Sequence, residues 1–351
     1  MASEPPIAAH RRERPSLRRS RLEDVAAAAG VSIATASRAL RQPALVTAAT
    51  RQRVDQAAQQ LGYIRDAAAG NLASERTGQI AVVVPSFGTT AFMSTIGGIS
   101  DHILPLGFQL VLADTNLSGD NEAKLIASLL GGRVDAIILT DVAQSAAARE
   151  MLAAARIPVV ETWSLTTDPI DMNVGFDNHA AGFAATQHLV DRGRRNLGMI
   201  CGPLQQNKRG RDRRQGFLEA ARANGLDDAP VVELPYPFRW IHAEEALAEL
   251  VSRRPELDGV FCSGDTFAAG ALFGAQRRGW PVPGRIALIG LGDLEMNMQM
   301  VPSISTALVP GHRIGQIAAE MVVRRLRGES LAASQVDTGF MIVARESTAV
   351  A

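Results

Sequence analysis

From Gly78 onward the chain alternates short apolar runs with longer segments of helical period, and this alternation restricts the fold more than any other feature. "QIAVVVPS" reads as a buried strand, a helix over about 90–106 follows and stops at Gly107, and "FQLVLADT" is the next strand. Further pairs run through "VDAIILTD" and "IPVVETW". After Asp177 the rhythm restarts: a helix to Gly193, "LGMICGP", the helix of "RDRRQGFLEAARANG", "VVELPY", a helix to Arg253, "LDGVFCSGD", a helix to Arg278, and "RIALIGLGD". Strands that alternate with helices pair in parallel, with helices on both faces of the sheet. The likeness of "VDAIILTD" to "LDGVFCSGD" points to two similar subdomains, and two lobes leave a cleft. A late helix over about 312–327 is expected to cross back to the first lobe, and "VDTGFMIVARES" reads as a terminal strand region.

At 351 residues the chain exceeds one ordinary core, and about 100–200 residues per domain suggests two or three. A composition 46% hydrophobic and 21% charged excludes the disordered class. No apolar run approaches the ~20 residues that span a bilayer. The opening "MASEPPIAAHRRERPSLRRSR" has arginines with no apolar stretch behind them, so it does not read as a secretory signal, and a cytoplasmic protein without membrane contact is expected. Cys201 and Cys262 each end a strand expected to be buried, which fits reduced core thiols.

The formal charge of zero hides an asymmetry. Residues 1–76 carry 12 Lys+Arg and 7 Asp+Glu, against 24 and 29 in the remainder. A small basic head on an acidic body points to an anionic partner at one end. Within the head, Leu22, Val25, Ala26 and Ala29 recur at helical spacing, and Gly30 stands where a helix would stop in the left-handed conformation. Ser32 sits at the N-cap of a second helix whose inward face is Ala36 and Leu40. A third helix over about 50–61 turns Val54, Ala57, Ala58 and Leu61 inward and stops at Gly62. Two short helices around a tight Gly-containing turn make a helix-turn-helix.

On the outward face of the second helix, Ser32, Thr35 and Ser37 can bond phosphate oxygens. Arg38 reaches a guanine edge, and Ile33 with Ala34 can press on thymine methyls. This is the arrangement of a recognition helix in the major groove. Arg41 and Tyr63 complete the expected DNA-contacting set.

The stretch "RLEDVAAAAGVSIATASRALRQPALVTAATRQRVDQAAQQLGYIRDAAAGNLAS" resembles the headpiece of the LacI/GalR family of transcriptional regulators, and the resemblance runs through the rest of the chain. Asp24-Val25-Ala26, Ala29-Gly30-Val31-Ser32, Thr35, Ser37-Arg38, Thr50-Arg51, Val54 and Leu61-Gly62-Tyr63 all fall at the family's spacing. The resemblance implies an all-α helix-turn-helix headpiece joined to a two-lobed α/β effector domain of periplasmic-binding-protein type. The expected divisions are a disordered basic arm (1–20), the headpiece (21–63), a hinge (64–77) and the effector and dimerisation domain (78–351). It also implies a homodimer on near-palindromic double-stranded operator DNA, with Leu72 as the hinge residue driven into the minor groove. The chain departs from the family pattern at Arg65-Asp66, where Pro-Asn is usual, at Gly70 inside the hinge, and at Ala36, where valine is frequent.

Ligands of open α/β sheets bind beyond the carboxyl ends of the strands. The resemblance carries effector contacts over to Ser86, Phe87 and Arg213, the last in the "RxxGF" pattern ending at Gly216-Phe217. A guanidinium there can hold a carboxylate with two parallel bonds; the plainer reading is one solvated arginine among Arg209, Arg211, Arg213 and Arg214. Phe238 or Trp240 is expected to supply an apolar platform, or else to be core. Asp265 follows Gly264 where the family usually has asparagine, and Asp293 follows Gly292 in place of a second aspartate. "RALRQPALV", "IPVVE", "VGFDN", "LDGVFC" and "LRGESLAASQVDTGF" are most similar to the gluconate-operon repressor branch, which implies a small sugar-acid effector.

Rival functions lack their residues. His10, His102, His179, His188, His242 and His312 show no metal-ligand spacing, and neither a GxSxG elbow nor a GxxxxGK[ST] loop is present. No enzyme activity, cofactor or metal is expected. A transporter's solute-binding receptor would share the two-lobed body but would need an export signal and no DNA-reading head.

Overall fold

The computed structural model describes residues 20–63, 76–87, 92–143, 145–205, 207–292 and 294–349. The chain divides into two compact units, Met1–Glu75 and Arg76–Ala351.

Among its described residues the first unit holds three α-helices, α1 (Leu22–Ala29), α2 (Ile33–Arg41) and α3 (Ala48–Gln60), with a 3₁₀ turn, Pro43–Leu45, between the last two. Gly30 ends α1 at φ 63°, and its N–H and that of Val31 cap the carbonyls of Ala27 and Ala26. That conformation suits glycine, and it lets α2 start three residues later, at Ile33. Val25, Ala26, Ala29, Ala36, Ala39, Val54 and Ala57 form the buried core. Small side chains let the three helices cross closely. Two details differ from the sequence reading. The third helix begins at Ala48, because Thr47 accepts the Thr50 N–H and serves as its cap. Leu61 lies just past the helix end, 37% exposed, and Tyr63 packs against the core in its stead.

The second unit holds two six-stranded sheets. The first is ordered β11-β5-β4-β3-β1-β2 and entirely parallel, from β1 (Gln79–Val84), β2 (Gln109–Asp114), β3 (Ala136–Leu139), β4 (Val159–Thr162), β5 (Met172–Gly175) and β11 (Gln335–Asp337). The second is ordered β12-β10-β9-β8-β6-β7, from β6 (Leu197–Cys201), β7 (Val231–Glu233), β8 (Gly259–Cys262), β9 (Ala287–Gly292), β10 (Ser305–Leu308) and β12 (Met341–Val343), with only β10–β12 antiparallel. Around the first sheet lie α4 (Met93–Ile103), α5 (Gly119–Gly131), α6 (Ala146–Ala154) and α12 (Gly311–Leu326). Around the second lie α7 (Asn178–Asp191), α8 (Lys208–Ala223), α9 (Trp240–Arg253) and α10 (Asp265–Arg277), with a short α11 (Met296–Gln299) beside them.

Continuous apolar strands such as Ile80–Val84 are buried because helices cover both faces of a parallel sheet. The chain passes between lobes three times: from β5 into α7, from β10 into α12, and from β11 into β12. The late helix therefore does return to the first lobe, where it packs on α4. That helix is shorter than the sequence suggests: Pro105 turns its last residues into a 3₁₀ turn, Leu104–Leu106, and residues 88–91 lie outside the described part. Cys201 and Cys262 are free and buried; burial pushes the Cys201 thiol up to about 12 and that of Cys262 higher still, so both stay protonated. No described helix is long and apolar enough to cross a membrane.

Candidate functional site

On the first unit, α2 presents its outward face as its caps dictate. Ser32 Oγ accepts the Thr35 N–H at 3.2 Å and lies 2.8 Å from Thr35 Oγ1, so the two hydroxyls form one polar corner at the helix start. Ile33, 51% exposed, and the exposed Ala34 and Arg38 follow, with Ser37 half-buried beside them. These residues share the side of α2 opposite the buried Ala36 and Ala39. Tyr63 is half-buried against the head core. Leu72 and the side chain of Arg41 lie outside the described residues.

In the second unit a cavity of about 520 Å³ opens between the lobes, at the carboxyl ends of the strands of both sheets. Ser86, Phe92 and Trp163 line it from the first lobe; Arg209, Arg213, Tyr236, Phe238, Asp265 and Phe267 line it from the second. Ser86 is buried, its Oγ 3.3 Å from Tyr236 Oη across the cleft. Phe238 stacks edge-on against Phe267 at 4.8 Å and forms an apolar wall. Two expected contacts are elsewhere. Phe87 is 56% exposed and outside the lining, held by its N–H on Asp114; Phe92 supplies the aromatic surface on that side. Trp240 starts α9 on the outer surface against Phe273, 5.7 Å between rings. Asp293 lies outside the described residues.

Arg213 is the best-prepared group of the cavity. Its Nε donates to Asn178 Oδ1 at 2.8 Å and its Nη1 to the Ser263 carbonyl at 2.7 Å. Its Nη2 is buried with no hydrogen-bond partner among the described residues. Burial, and then the like charge of Arg209, pull the Arg213 guanidinium down to about 9. It is still charged at pH 7, and this desolvated cation in the lining of the cavity keeps one buried nitrogen, Nη2, unsatisfied. An unpaired buried donor costs about 1–3 kcal/mol, more when charged, so an anionic acceptor placed there recovers that cost.

Asp265 has less to offer a ligand: Thr306 Oγ1 donates to its Oδ1 at 2.8 Å and the Leu294 N–H to its Oδ2 at 2.9 Å. Sequence reasoning gave Arg209 no role of its own. Its Nε donates to Asp141 Oδ2 at 3.0 Å, joining the second lobe to the end of β3 in the first, and its guanidinium lies 4.8 Å from the Phe92 ring centroid. Trp163 was equally hidden. It adopts φ 68°, an uncommon conformation for a bulky residue, and is pinned by Asn178 Nδ2 on its carbonyl and by Thr95 Oγ1 accepting its indole N–H. Asn178 thus grips Trp163 with one end and Arg213 with the other. The sequence carried a faint signal of this, an asparagine directly after the Asp177 that caps α7.

A helix-turn-helix head followed by a two-lobed sensor of periplasmic-binding-protein type defines a class, the DNA-binding transcriptional regulators that respond to small molecules, and comparison with known proteins agrees. Residues 21–66 match the family described as bacterial regulatory proteins, lacI family, and residues 186–348 match the periplasmic binding protein-like domain. The HTH-type transcriptional regulator GntR of Pseudomonas aeruginosa is 37% identical over 94% of this chain and 96% of its own length. A LacI-family transcriptional regulator from Silicibacter pomeroyi superposes with a TM-score of 0.87, at 31% identity over 94% of this chain and 99% of that one. The transcriptional regulator CelR, solved in complex with cellobiose, does so at 0.67, with 29% identity over 94% of this chain and 100% of that one. The chain belongs to the LacI family of bacterial regulatory proteins, whose members are DNA-binding regulators and not enzymes.

Proposed function

We propose that the chain is a cytoplasmic repressor that binds operator DNA as a homodimer and releases it when a small sugar acid such as gluconate fills the interlobe cavity. The observation that carries the ligand reading is Arg213, a buried cation with its Nη2 unpaired, in the lining of a cavity walled by Phe92, Trp163, Phe238 and Phe267. Aromatic walls suit the C–H faces of a polyol, and a guanidinium edge suits its carboxylate. The cellobiose held by CelR favours a carbohydrate, and the similarity of this sequence to gluconate-operon repressors favours a sugar acid.

On the head, Arg38 reads a base edge, Ser32, Thr35 and Ser37 hold phosphates, and Ile33 and Ala34 meet thymine methyls. Arg41, Tyr63 and Leu72 complete the contact; in the sensor Ser86, Arg213, Phe238, Asp265 and Asp293 hold the effector. Two-fold symmetry presents two heads to two half-sites. Large apolar side chains left exposed support a second copy: Leu104, Leu106 and Leu112 around the edge strand β2, and Trp240, Phe273 and Val301 around α10.

The reading is tested on two axes. Fluorescence anisotropy with promoter fragments from the neighbourhood of the gene should find one that binds specifically, and Arg38→Ala should abolish that preference while leaving effector binding intact; equal loss of both functions would mean that the substitution disturbs the fold. Calorimetric titration with gluconate, 2-ketogluconate, 6-phosphogluconate and galactose should give heat with a sugar acid. Heat from galactose alone removes the ligand assignment.

A further inference from the structure

In a parallel sheet every carboxyl end lies on one side and every amino end on the other. The first lobe uses its carboxyl side for the cavity; its amino side is the end from which the chain leads back to the head. We propose that this amino-end face is a second, sequence-independent contact surface for duplex DNA, on which Arg133 and Arg156, beside Arg76, bind backbone phosphates. The proposal rests on the DNA-binding reading above and adds a surface to it.

The loops that enter β1, β3 and β4 carry Arg76, Arg133 and Arg156 respectively. The Thr77 hydroxyl donates to the Arg133 carbonyl, which ties the first two loops together. Arg76 and Arg156 line one open groove of about 530 Å³ together with Arg325 from the end of α12. The carboxylates of this face are already engaged. Asp135 accepts the N–H groups of Thr77 and Gly78 at 2.8 and 2.9 Å, Asp171 holds Arg325 at 2.7 Å, and Glu329 faces Arg324 and Arg327. Arg133 and Arg156 are exposed and make no ion pair among the described residues.

Both also occupy positions that sequence economy would give to glycine. Arg133 follows α5 at φ 57° and Arg156 follows α6 at φ 54°, left-handed conformations in which most helices end on glycine. Arginine at both, on a body whose remaining charge is 24 Lys+Arg against 29 Asp+Glu, concentrates positive charge where the unit's composition would not put it. The groove is open and its arginines spread over a face, which suits a row of phosphates better than one small anion. A plainer role exists: a cation after a helix end complements the helix dipole. That role acts on stability and not on DNA.

The test uses the full-length double variant Arg133→Gln/Arg156→Gln and operator and scrambled duplexes, titrated by anisotropy over a range of KCl. Each lost phosphate contact lowers the slope of log affinity against log salt by about 0.9. The slope should fall by about 1–2 and low-salt affinity by about tenfold on both duplexes, while the operator-to-scrambled ratio and the effector titration hold. An unchanged slope overturns the proposal, and a lowered melting temperature with it assigns the arginines to the helix ends. Saturable binding of inorganic phosphate that the variant loses, again with an unchanged slope, identifies a small-anion site instead. If the wild-type chain prefers no operator, the repressor reading fails, yet the difference in slope on scrambled DNA still decides this surface.

Discussion

Arg213 shows how much one side chain can settle. Its Nε and Nη1 are spent on Asn178 and Ser263, which fixes the guanidinium plane, and Nη2 is left buried without a partner among the described residues. Lysine at this position keeps the charge but not the fork, so it cannot hold Asn178, Ser263 and a carboxylate together. Arg213→Lys should weaken sugar-acid binding at least tenfold in calorimetry and leave operator affinity without effector within about twofold; one order of magnitude corresponds to about 1.4 kcal/mol. Unchanged sugar-acid affinity would show that the carboxylate sits elsewhere in the cavity. The family resemblance pointed to Arg213, through its "RxxGF" pattern, and to Ser86, and both line the cavity. Arg209 and Trp163 were not. Arg209 looks like one more member of a basic helix start until the fold sets Asp141, 68 residues away, against it. Trp163 earns its place through a backbone conformation that composition does not encode. Phe87 failed in the opposite sense: neighbouring a cleft residue in sequence, it lies on the next side of the turn and faces solvent.

Between elements, the site is held by helix crossings that admit no side chain. On α7, a Cβ at Gly182 would lie 2.2 Å from the Arg213 carbonyl oxygen; on α8, one at Gly216 would lie 2.1 Å from the His179 carbonyl oxygen. The two helices meet backbone to backbone, and the register of that contact sets where Arg213 enters the cavity. An added methyl must push the helices apart, an overpacking that typically costs about 1–3 kcal/mol. Gly182→Ala should therefore lower the melting temperature by several degrees and also weaken effector binding, although Gly182 touches no ligand. Gly98→Ala is the control: its Cβ would meet the His312 carbonyl oxygen at 2.1 Å in the α4–α12 crossing of the first lobe, so it should cost similar stability while leaving the seat of Arg213 unmoved. Equal effector loss in both would mean that affinity merely follows global stability. Most of these elements could be read from periodicity, since long apolar strands and capped helices carry strong local signals. β5 could not. Its four residues, Met172–Gly175, include Asn173, which spends its side chain on the carbonyls of Glu161 and Ser164, so the strand lacks an apolar pattern and is defined by its neighbours in the sheet.

At the scale of the whole molecule, side chains of the two lobes meet across the cleft. The pair Arg209–Asp141 closes the cleft with a buried ion pair, supported by Ser164 Oγ donating to Asp141 Oδ1 at 3.0 Å, and Tyr236 reaches Asn116 across the same gap at 3.0 Å. Breaking one partner of a buried pair costs about 3–5 kcal/mol if the other charge stays buried. Here the lobes offer an escape: they can part and let water reach Arg209. Asp141→Asn should accordingly populate an opened sensor, seen as a larger radius of gyration in solution scattering and faster amide exchange at the ends of β3 and β8, with little loss of secondary structure. Effector must then supply the closing free energy that the ion pair supplied before, so its apparent affinity falls by the factor by which the closed state is depleted. If scattering and exchange match the wild type, the pair is a local contact and does not govern the lobes. Reciprocity gives the stricter check. The factor by which saturating effector weakens operator binding must equal the factor by which operator weakens effector binding, whatever joins the sites; where lobe closure joins them, Asp141→Asn changes that common factor. A common factor left unchanged by Asp141→Asn while the sensor opens would mean that the cleft and the head are not joined through lobe closure.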